Sequence, residues 1–185
     1  MICYVDCAYE PGRPDSSQFT AAVLGNGIVG WPGQKWVDFR APLVRNILKA
    51  RFDLARQKGC DALEPDDVDS INNNPGFPLT AADQLDFCRF LAAEGHARGM
   101  SVGLKNNLDQ VVPLVADFDF AVNEECVQYN ECPALSPFVS AGKPVFHVEY
   151  KAASQLTQVC AVTQPLQFST LLKNLSLDAY RLPCP

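Results

Sequence analysis

The sequence alternates short apolar segments with longer segments of helical period, and this alternation restricts the possible folds more than any other feature. The apolar segments end in polar residues, and glycine closes two of the helical segments, at Gly59 and Gly99. Repeated strand–helix units of this kind build parallel sheets covered by helices. About seven such units are present, each of the length usual in an eight-stranded α/β barrel. A doubly wound sheet is the alternative, but the sequence has no glycine-rich dinucleotide or phosphate loop.

The predicted elements follow from these hydrophobic periods. Predicted strands cover residues 1–7, 36–40, 61–66, 100–104, 118–122 and 145–148, with a weaker signal at 168–172. Predicted helices cover residues 42–58, 80–98, 108–115 and 134–141. Thr80 followed by Asp83 is a capping-box pattern, which favours a helix start at that point.

Size and charge exclude several classes of partner. At 185 residues the chain has the length of one domain, and we predict a single domain over residues 1–185. A formal net charge of −6 argues against nucleic acid, because nucleic-acid binding requires basic surfaces. The apolar runs are far shorter than a membrane span, and no signal peptide is predicted at the start of the chain. We expect a monomer that binds neither nucleic acid nor a membrane.

The stretch from Cys60 to Asp69, read as C-D-A-L-E-P-D-D-V-D, is the first candidate for a functional site. A buried strand is predicted to break at Pro65, which cannot donate a ladder hydrogen bond. The break is followed by clustered carboxylates and a polar loop, and α/β barrels build active sites from strand ends of this kind. Asp66 is the candidate for catalysis, whereas its neighbour Asp67 is interpreted as a solvated side chain.

Polar side chains that end other strands are expected at the same face, because strand carboxyl ends in a barrel point one way. These residues are Asp66, Lys105, Asn106, Asn123, Glu124 and Glu149, with Asp6 and Asp38 as weaker candidates. Two carboxylates that flank a glycosidic bond can divide acid/base and nucleophilic work between them. Aromatic side chains that offer faces for sugar rings are Tyr4, Trp31, Trp36 and Tyr150.

Other interpretations of the acidic residues remain open. The acids of residues 64–69 also fit a solvated loop, or a calcium site built by Glu64, Asp66 and Asp69. The two histidines, His96 and His147, lie in no spaced cluster, so no metal hydrolase and no cofactor are predicted. The absence of G-x-S-x-G argues against a serine triad.

Eight cysteines are many for a chain of this length. None has the C-x-x-C spacing of a zinc site. Cys126 and Cys132 flank a short loop, and Cys160 and Cys184 bracket the C-terminal segment, so both pairs are disulfide candidates that would require an oxidising compartment. Apolar surroundings predict that Cys60 and Cys88 are buried free thiols.

Several segments together resemble one enzyme family. These segments are I-C-Y (2–4), R-P-D (13–15), W-P-G and W-V-D-F-R (31–40), L-E-P-D-D-V-D (63–69), G-F-P-L-T-A-A-D-Q-L (76–85), G-L-K-N (103–106), F-A-V-N-E-E-C (120–126) and V-F-H-V-E-Y (145–150). They are similar to glycoside hydrolase family 114, the endo-α-1,4-polygalactosaminidases, which have a TIM-barrel-like (β/α)8 fold.

This resemblance implies a secreted or cell-surface hydrolase that cleaves α-1,4-linked galactosamine polysaccharide without a cofactor. Its catalytic carboxylates fall on Asp66 and Glu124, and its cysteine pair falls on Cys126 and Cys132. The cationic polysaccharide is expected to contact substrate-binding residues at the strand ends. We assign these as Tyr4, Asp38, Glu64, Asp69, Lys105, Asn106, Asn123 and Glu149. A carboxyl separation of about 5 Å predicts a retaining mechanism, and one beyond about 6.5 Å predicts an inverting one.

The chain also departs from the family pattern. Family members begin with a further strand, so we expect an α/β barrel that lacks its first βα unit and keeps about seven parallel strands. After I-C-Y, family members continue into S-A-G, whereas this chain reads V-D-C-A and places Asp6 and Cys7 near the site. A non-catalytic carbohydrate-binding pseudoenzyme and an incomplete fragment of such an enzyme are therefore the alternatives to an active hydrolase.

Overall fold

A computed structural model describes residues 1–185, and the chain divides into two compact units, Met1–Lys105 and Asn106–Pro185. Each unit has its own strands, its own covering helices and at least one disulfide. None of the helices has both the length and the apolar character needed to cross a bilayer.

The first unit has a parallel three-stranded sheet, with β4 in the middle between β1 and β5. Its strands and α-helices are β1 (Ile2–Asp6), β2 (Leu24–Gly27), β3 (Lys35–Val37), α1 (Pro42–Gln57), β4 (Ala62–Asp66), α2 (Ala81–Ala97) and β5 (Ser101–Lys105). β2 and β3 form a separate antiparallel hairpin. The register of β1 and β4 pairs Tyr4 with Glu64 and Asp6 with Asp66, so the ends of the two strands lie side by side.

The two helices of this unit start and pack as their sequences dictate. Proline at the first position of α1 has no N–H to leave unpaired, and the apolar face of the helix is buried. At α2 the predicted capping box is present. Thr80 Oγ1 accepts the Asp83 N–H at 3.1 Å, and the Asp83 carboxylate accepts the Thr80 N–H at 2.8 Å.

Gly95 allows α2 to approach the sheet closely. A Cβ at this position would lie 2.3 Å from Val102 Cγ2 and 3.3 Å from Leu63 Cδ1. We expect Gly95→Ala to destabilise the protein by about 1–3 kcal/mol, because overpacking outweighs the better helix propensity of alanine. Urea denaturation of Gly95→Ala, Val102→Ala and the double variant tests this. A double variant no more stable than the sum of the single effects would contradict the steric explanation.

The second unit has a parallel sheet in the order β6, β7, β8, with a short strand, β9, antiparallel to β8. Its strands and α-helices are α3 (Val111–Leu114), β6 (Phe120–Glu124), α4 (Cys126–Tyr129), α5 (Ser136–Ser140), β7 (Val145–Glu149), α6 (Leu156–Thr163), β8 (Ser169–Leu172) and β9 (Leu182–Pro183). Glu124 and Glu149 are the last residues of β6 and β7.

Three local expectations were wrong. β4 does not break at Pro65 but continues through it to Asp66, whose carbonyl accepts the Cys7 N–H at 3.1 Å. A proline lacks only the donor, so it can fill a strand position. The strand predicted at 36–40 stops at Val37, and Asp38 lies in a turn closed by the Ala41 N–H. The segment 156–163, for which no element was predicted, is a helix.

Three disulfides join Cys3 to Cys60, Cys126 to Cys132 and Cys160 to Cys184. The last two are the pairs proposed from the sequence. The expectation of a free thiol at Cys60 is wrong, because Cys60 is bonded to Cys3 across 57 residues of sequence. Sequence spacing did not indicate this pair, because only the β1–β4 pairing brings the two cysteines together. Cys7 and Cys88 are free and buried.

Candidate active site

In the first unit three of the predicted site residues contact one another: the Lys105 ammonium lies against the carboxylates of Glu64 and Asp66. Lys105 Nζ lies 2.8 Å from Glu64 Oε1 and 3.3 Å from Asp66 Oδ2. The lysine is 4 % exposed, whereas about a fifth to a quarter of each acidic side chain is open to solvent. Asp66 Oδ1 also accepts the Asp67 N–H at 2.9 Å. Asp66 is therefore a carboxylate held by two donors at the end of β4 with part of its surface accessible.

Tyr4 and Asp6 belong to the same face of the sheet. Side chains alternate along a strand, so residues paired in register with Glu64 and Asp66 point the same way as they do. Tyr4 is half-exposed, and the position suits a ring that contacts a sugar. Burial, followed by the charges of Asp66 and Asp6, raises the pKa of Tyr4, so this side chain remains a neutral phenol at physiological pH.

Asp67 is not the solvated neighbour that the sequence suggested. Burial, reinforced by the negative charges of Asp66, Asp6 and Asp69, raises the pKa of Asp67 to about 8. Its backbone has a φ of 59°, in the left-handed region that non-glycine residues seldom occupy. The side chain of Asp67 is only partly exposed, and it interacts with the side chain of Asp6. The sequence contained a signal for this interaction, since Asp67 directly follows the candidate catalytic acid and two adjacent carboxylates affect each other's ionisation.

In the second unit Glu124 occupies a comparable position at the end of β6. Its Oε1 accepts a short hydrogen bond from the Tyr150 hydroxyl. Its backbone N–H donates to Asn106 Oδ1 at 3.0 Å, and Asn123 Nδ2 donates to the same oxygen at 3.2 Å. Asn106 and Asn123 therefore brace the strand end that presents Glu124. Asn123 is buried, so its position supports a bracing role rather than the substrate contact expected from the sequence.

Each of the three candidate strand ends is followed by a left-handed residue. Asp67 follows Asp66, Asn106 (φ 47°) follows Lys105, and Glu125 (φ 64°) follows Glu124. Such a conformation in a non-glycine residue costs on the order of 1 kcal/mol and recurs at functional sites. Its effect here is local: the chain turns sharply away just after the residue that carries the functional group.

Glu149, predicted as a substrate-binding residue, lies on the other face of its sheet. Glu124 pairs in register with Val148, so Glu149, one residue later, points away from the Glu124 face. It is fully buried, and its Oε1 accepts the Val127 N–H at 2.7 Å and the Gln128 N–H at 3.2 Å. His147 Nε2 lies 3.1 Å from the same oxygen. This position supports a structural role, in which Glu149 fixes α4 just after Glu124.

Burial alone would raise the pKa of Glu149, but hydrogen bonds from His147, Val127 and Gln128 together hold it below its ordinary value. A lowered pKa stabilises the fold at pH values above the unfolded pKa, and this stabilisation is lost as the pH falls through the folded pKa.

We expect Glu149→Gln to destabilise the protein by about 2–4 kcal/mol at pH 7, and by progressively less below pH 4.5. Urea denaturation at pH 7 and at acidic pH measures this. Glu131→Gln, in the same disulfide loop, is the matched control, and equal stability of the two variants at pH 7 would contradict the assignment.

Other candidates from the sequence are engaged locally. Asp38 holds Arg40 through two oxygens, each 2.9 Å from a guanidinium nitrogen, and this contact lowers the pKa of Asp38. It is not among the groups that contact Asp66. Asp69 lies near Asp67 and begins a 3₁₀ turn, where its carbonyl accepts Asn73 Nδ2 at 3.1 Å.

Of the tryptophans proposed as sugar platforms, Trp36 is buried. Trp31 is half-exposed in the β2–β3 loop.

The structure also bears on metal binding. The ligand atoms of Cys126, Cys132 and His147 lie within 4.8 Å of one another, but the two sulfurs are bonded to each other. They therefore provide no thiolate for a metal ion. At the acidic strand end Lys105 supplies a positive charge between Glu64 and Asp66, where the calcium interpretation would place an ion.

The comparisons with known proteins identify the family. The model of glycoside-hydrolase family GH114 matches residues 1–185. The chain belongs to family GH114. Among solved structures, the GH114 chain is similar to Ega3 of Aspergillus fumigatus, crystallised in complex with galactosamine. The two are 41% identical with a TM-score of 0.95, over 99% of this chain and 78% of the Ega3 chain.

A second similarity concerns the fold alone. The glycoside hydrolase domain of PelA from Pseudomonas aeruginosa is 14% identical with a TM-score of 0.70, over 97% of this chain and 79% of that one. None of the curated proteins compared matches the chain. The resemblance to family 114, the α/β TIM-barrel-like fold class and the glycoside hydrolase class predicted from the sequence are thereby confirmed.

Proposed function

We propose that this GH114 chain hydrolyses α-1,4-linked galactosamine polysaccharide internally, with Asp66 and Glu124 as its two catalytic carboxylates. The observation that carries the substrate is the 41% identity, over 99% of the chain, to a protein crystallised with galactosamine. At this identity the fold is shared closely, so a related ligand is the simplest expectation.

Asp66 is suited to act as the nucleophile or as the stabiliser of the cationic transition state. The Lys105 ammonium and the Asp67 N–H each contact one of its oxygens and hold the carboxylate in place. Glu64 shares the ammonium, so the lysine does not neutralise Asp66 completely. A negative charge near the sugar carbon lowers the energy of an oxocarbenium-like transition state.

Glu124 is suited to act as the general acid and base. Its hydrogen bond with the Tyr150 hydroxyl fixes one oxygen, while Asn106 fixes the backbone N–H of the same residue. A carboxyl group oriented in this way can transfer a proton through its other oxygen. Glu125 is the next residue in the chain, and Glu149, the last residue of β7, is committed to the backbone of α4.

The acidity of the first unit suits an amino sugar. A galactosamine residue without an acetyl group carries an ammonium, and Glu64 and Asp69 add negative charge around the end of β4, to which that ammonium would be attracted. The formal net charge of −6 adds a long-range attraction for a polycation. An N-acetylated residue lacks this charge, and we expect it to bind less well.

We infer that the protein acts outside the cytosol, at the cell surface or in the medium. The support for this is its three disulfides, since such bonds persist in oxidising compartments.

The test is the release of reducing ends from α-1,4-linked galactosamine polymers with and without N-acetyl groups. The proposed function predicts release from de-N-acetylated material, little release from fully acetylated material, and products longer than one sugar. Binding without any release of reducing ends would instead identify a carbohydrate-binding pseudoenzyme. The Asp66→Asn/Glu124→Gln double variant controls for contaminating hydrolases.

A further inference from the structure

Asp6 is a buried carboxylate with one unsatisfied oxygen. It is 1 % exposed, and its Oδ1 accepts the Ala8 N–H at 2.6 Å. Its Oδ2 is buried without a hydrogen-bond donor, although Arg13 Nε forms an ion pair with it at 3.4 Å. A buried acceptor left without a donor is costly, so this oxygen calls for a partner that carries a proton.

The two arginines near Asp6 leave its Oδ2 without a hydrogen bond. Arg13 Nε forms ion pairs with Glu10, at 2.5 Å, and with Asp6, at 3.4 Å, but its geometry gives a hydrogen bond to neither. Arg51 binds both oxygens of Asp15, at 2.6 and 3.0 Å, and donates to the backbone carbonyl of Asp6. Neither supplies the missing hydrogen bond to Asp6 Oδ2.

The Asp67 carboxyl is the group placed to supply it. Asp6 is paired in register with Asp66, the residue before Asp67, and the side chain of Asp67 interacts with that of Asp6 as a hydrogen-bond partner. Two carboxylates in contact cannot both be ionised without a large cost, so one proton remains between them. Asp6 faces a backbone N–H and two arginines, whereas Asp67 faces further acids, so the proton resides on Asp67.

We propose that Asp6 and Asp67 share one proton, and that the shared proton holds Asp67 in the conformation whose backbone N–H binds and orients Asp66. The hydrogen bond from Asp67 N to Asp66 Oδ1 is 2.9 Å long. Asp67 is thus a positioning residue, and its role in hydrolysis rests on the proposed function of Asp66. Loss of the proton adds a third negative charge beside those of Asp6 and Asp66, and the repulsion releases Asp67 from both.

The raised pKa of Asp67, about 8, puts this loss within the alkaline range. The other titratable or charged groups that face the pair are Tyr4, Cys7, Glu10, Arg13, Arg51, Asp66 and Asp69. The pKa values of Tyr4 and of the Cys7 thiol are raised by burial, so both remain neutral as Asp67 titrates. The arginines remain charged throughout. Asp67 therefore changes charge near pH 8, while Tyr4 and Cys7 remain neutral.

Asp67→Asn keeps the size and shape of the side chain but removes its titratable proton. The amide Nδ2 donates to Asp6 Oδ2 at every pH, so hydrolysis near pH 6 is retained. The ratio of kcat/KM of the variant to that of the wild type cancels the titration of the substrate amine. We expect this ratio to rise to about tenfold by pH 9, whereas Asp67→Ala loses activity at all pH values. Asp86→Asn removes an exposed carboxylate and should give a constant ratio. A constant ratio for Asp67→Asn would overturn the positioning role.

A second readout does not depend on hydrolysis. In protein with 13C-labelled aspartate, one carboxyl resonance should titrate near pH 8 in the wild type, at a lower pH in Asp66→Asn, which lacks the charge of Asp66, and not at all in Asp67→Asn. Because the folded state binds this proton more tightly than the unfolded state, wild-type stability relative to Asp67→Asn should fall between about pH 4 and pH 8 and then level off. Titration of Asp67 below pH 5 would refute the shared proton. Its titration near pH 8 in a protein without any hydrolytic activity would refute only the proposed function.

Discussion

Replacing Asp66 with asparagine is expected to reduce kcat on de-N-acetylated α-1,4-galactosamine polymer by at least about 10³-fold. The amide has the size of the carboxylate and can still accept the Asp67 N–H. It lacks the negative charge that the reaction requires, whether for attack on the sugar carbon or for stabilising positive charge there. Release of reducing ends, measured under saturating substrate, gives the effect.

The fold should tolerate this change. Lys105, which is almost fully buried, keeps its 2.8 Å contact with Glu64 when Asp66 is neutral. We therefore expect the free energy of unfolding of Asp66→Asn, measured by urea denaturation, to remain within about 1 kcal/mol of the wild type. Asp86→Asn, at an exposed ion pair with Arg45, is the matched control for both activity and stability. Wild-type activity in a correctly folded Asp66→Asn protein would rule out Asp66 as a catalytic carboxylate.

Replacing Glu124 with glutamine is expected to give a loss of similar size, about 10²–10⁴-fold in kcat. The amide keeps a carbonyl that can accept from Tyr150, and the backbone N–H still donates to Asn106. What is lost is the proton that a carboxyl gives to the leaving oxygen. The loss should therefore shrink for galactosaminides with an activated leaving group such as dinitrophenol, which departs without protonation.

That comparison distinguishes the two residues. Asp66→Asn should remain inactive on the activated substrate, because its role does not depend on protonation of the leaving group. Equal losses for Glu124→Gln on polymer and on activated substrate would argue against an acid role at Glu124. Glu125→Gln, one residue later on the left-handed turn, serves as the matched control, since its side chain lies outside the proposed assignment.

The sequence was most informative where the physical signal is local. Hydrophobic period placed α1, α2 and the parallel strands of both sheets but not β9, and the Thr80–Asp83 capping box was correct to the residue. Strand ends were less certain. β6 extends to Glu124, two residues beyond the predicted end. Asn123 and Glu124 are polar, so the hydrophobic pattern stops before them, but both continue the hydrogen-bonded ladder with β7.

Residue roles were harder to predict than residue positions. Glu149 ends a strand as Glu124 does, and the sequence grouped the two. The alternation of side chains puts them on opposite faces, and only the backbone N–H groups of α4 show what Glu149 binds. Asp67 was misjudged for a related reason. Its neighbours in sequence suggest an exposed acidic loop, whereas its side chain interacts with that of Asp6, sixty-one residues earlier.

The sequence by itself determined the repeated strand–helix order, the family and the two acids proposed for catalysis, since each depends on residues close together in the chain. The tertiary structure alone decided which partners those acids have. Lys105 beside Asp66, Tyr150 beside Glu124 and Cys3 bonded to Cys60 all join residues far apart in sequence. Hydrogen bonds and charge interactions act over a few ångströms, so a group's ionisation and orientation depend on the neighbours that strand pairing and chain turns bring to it.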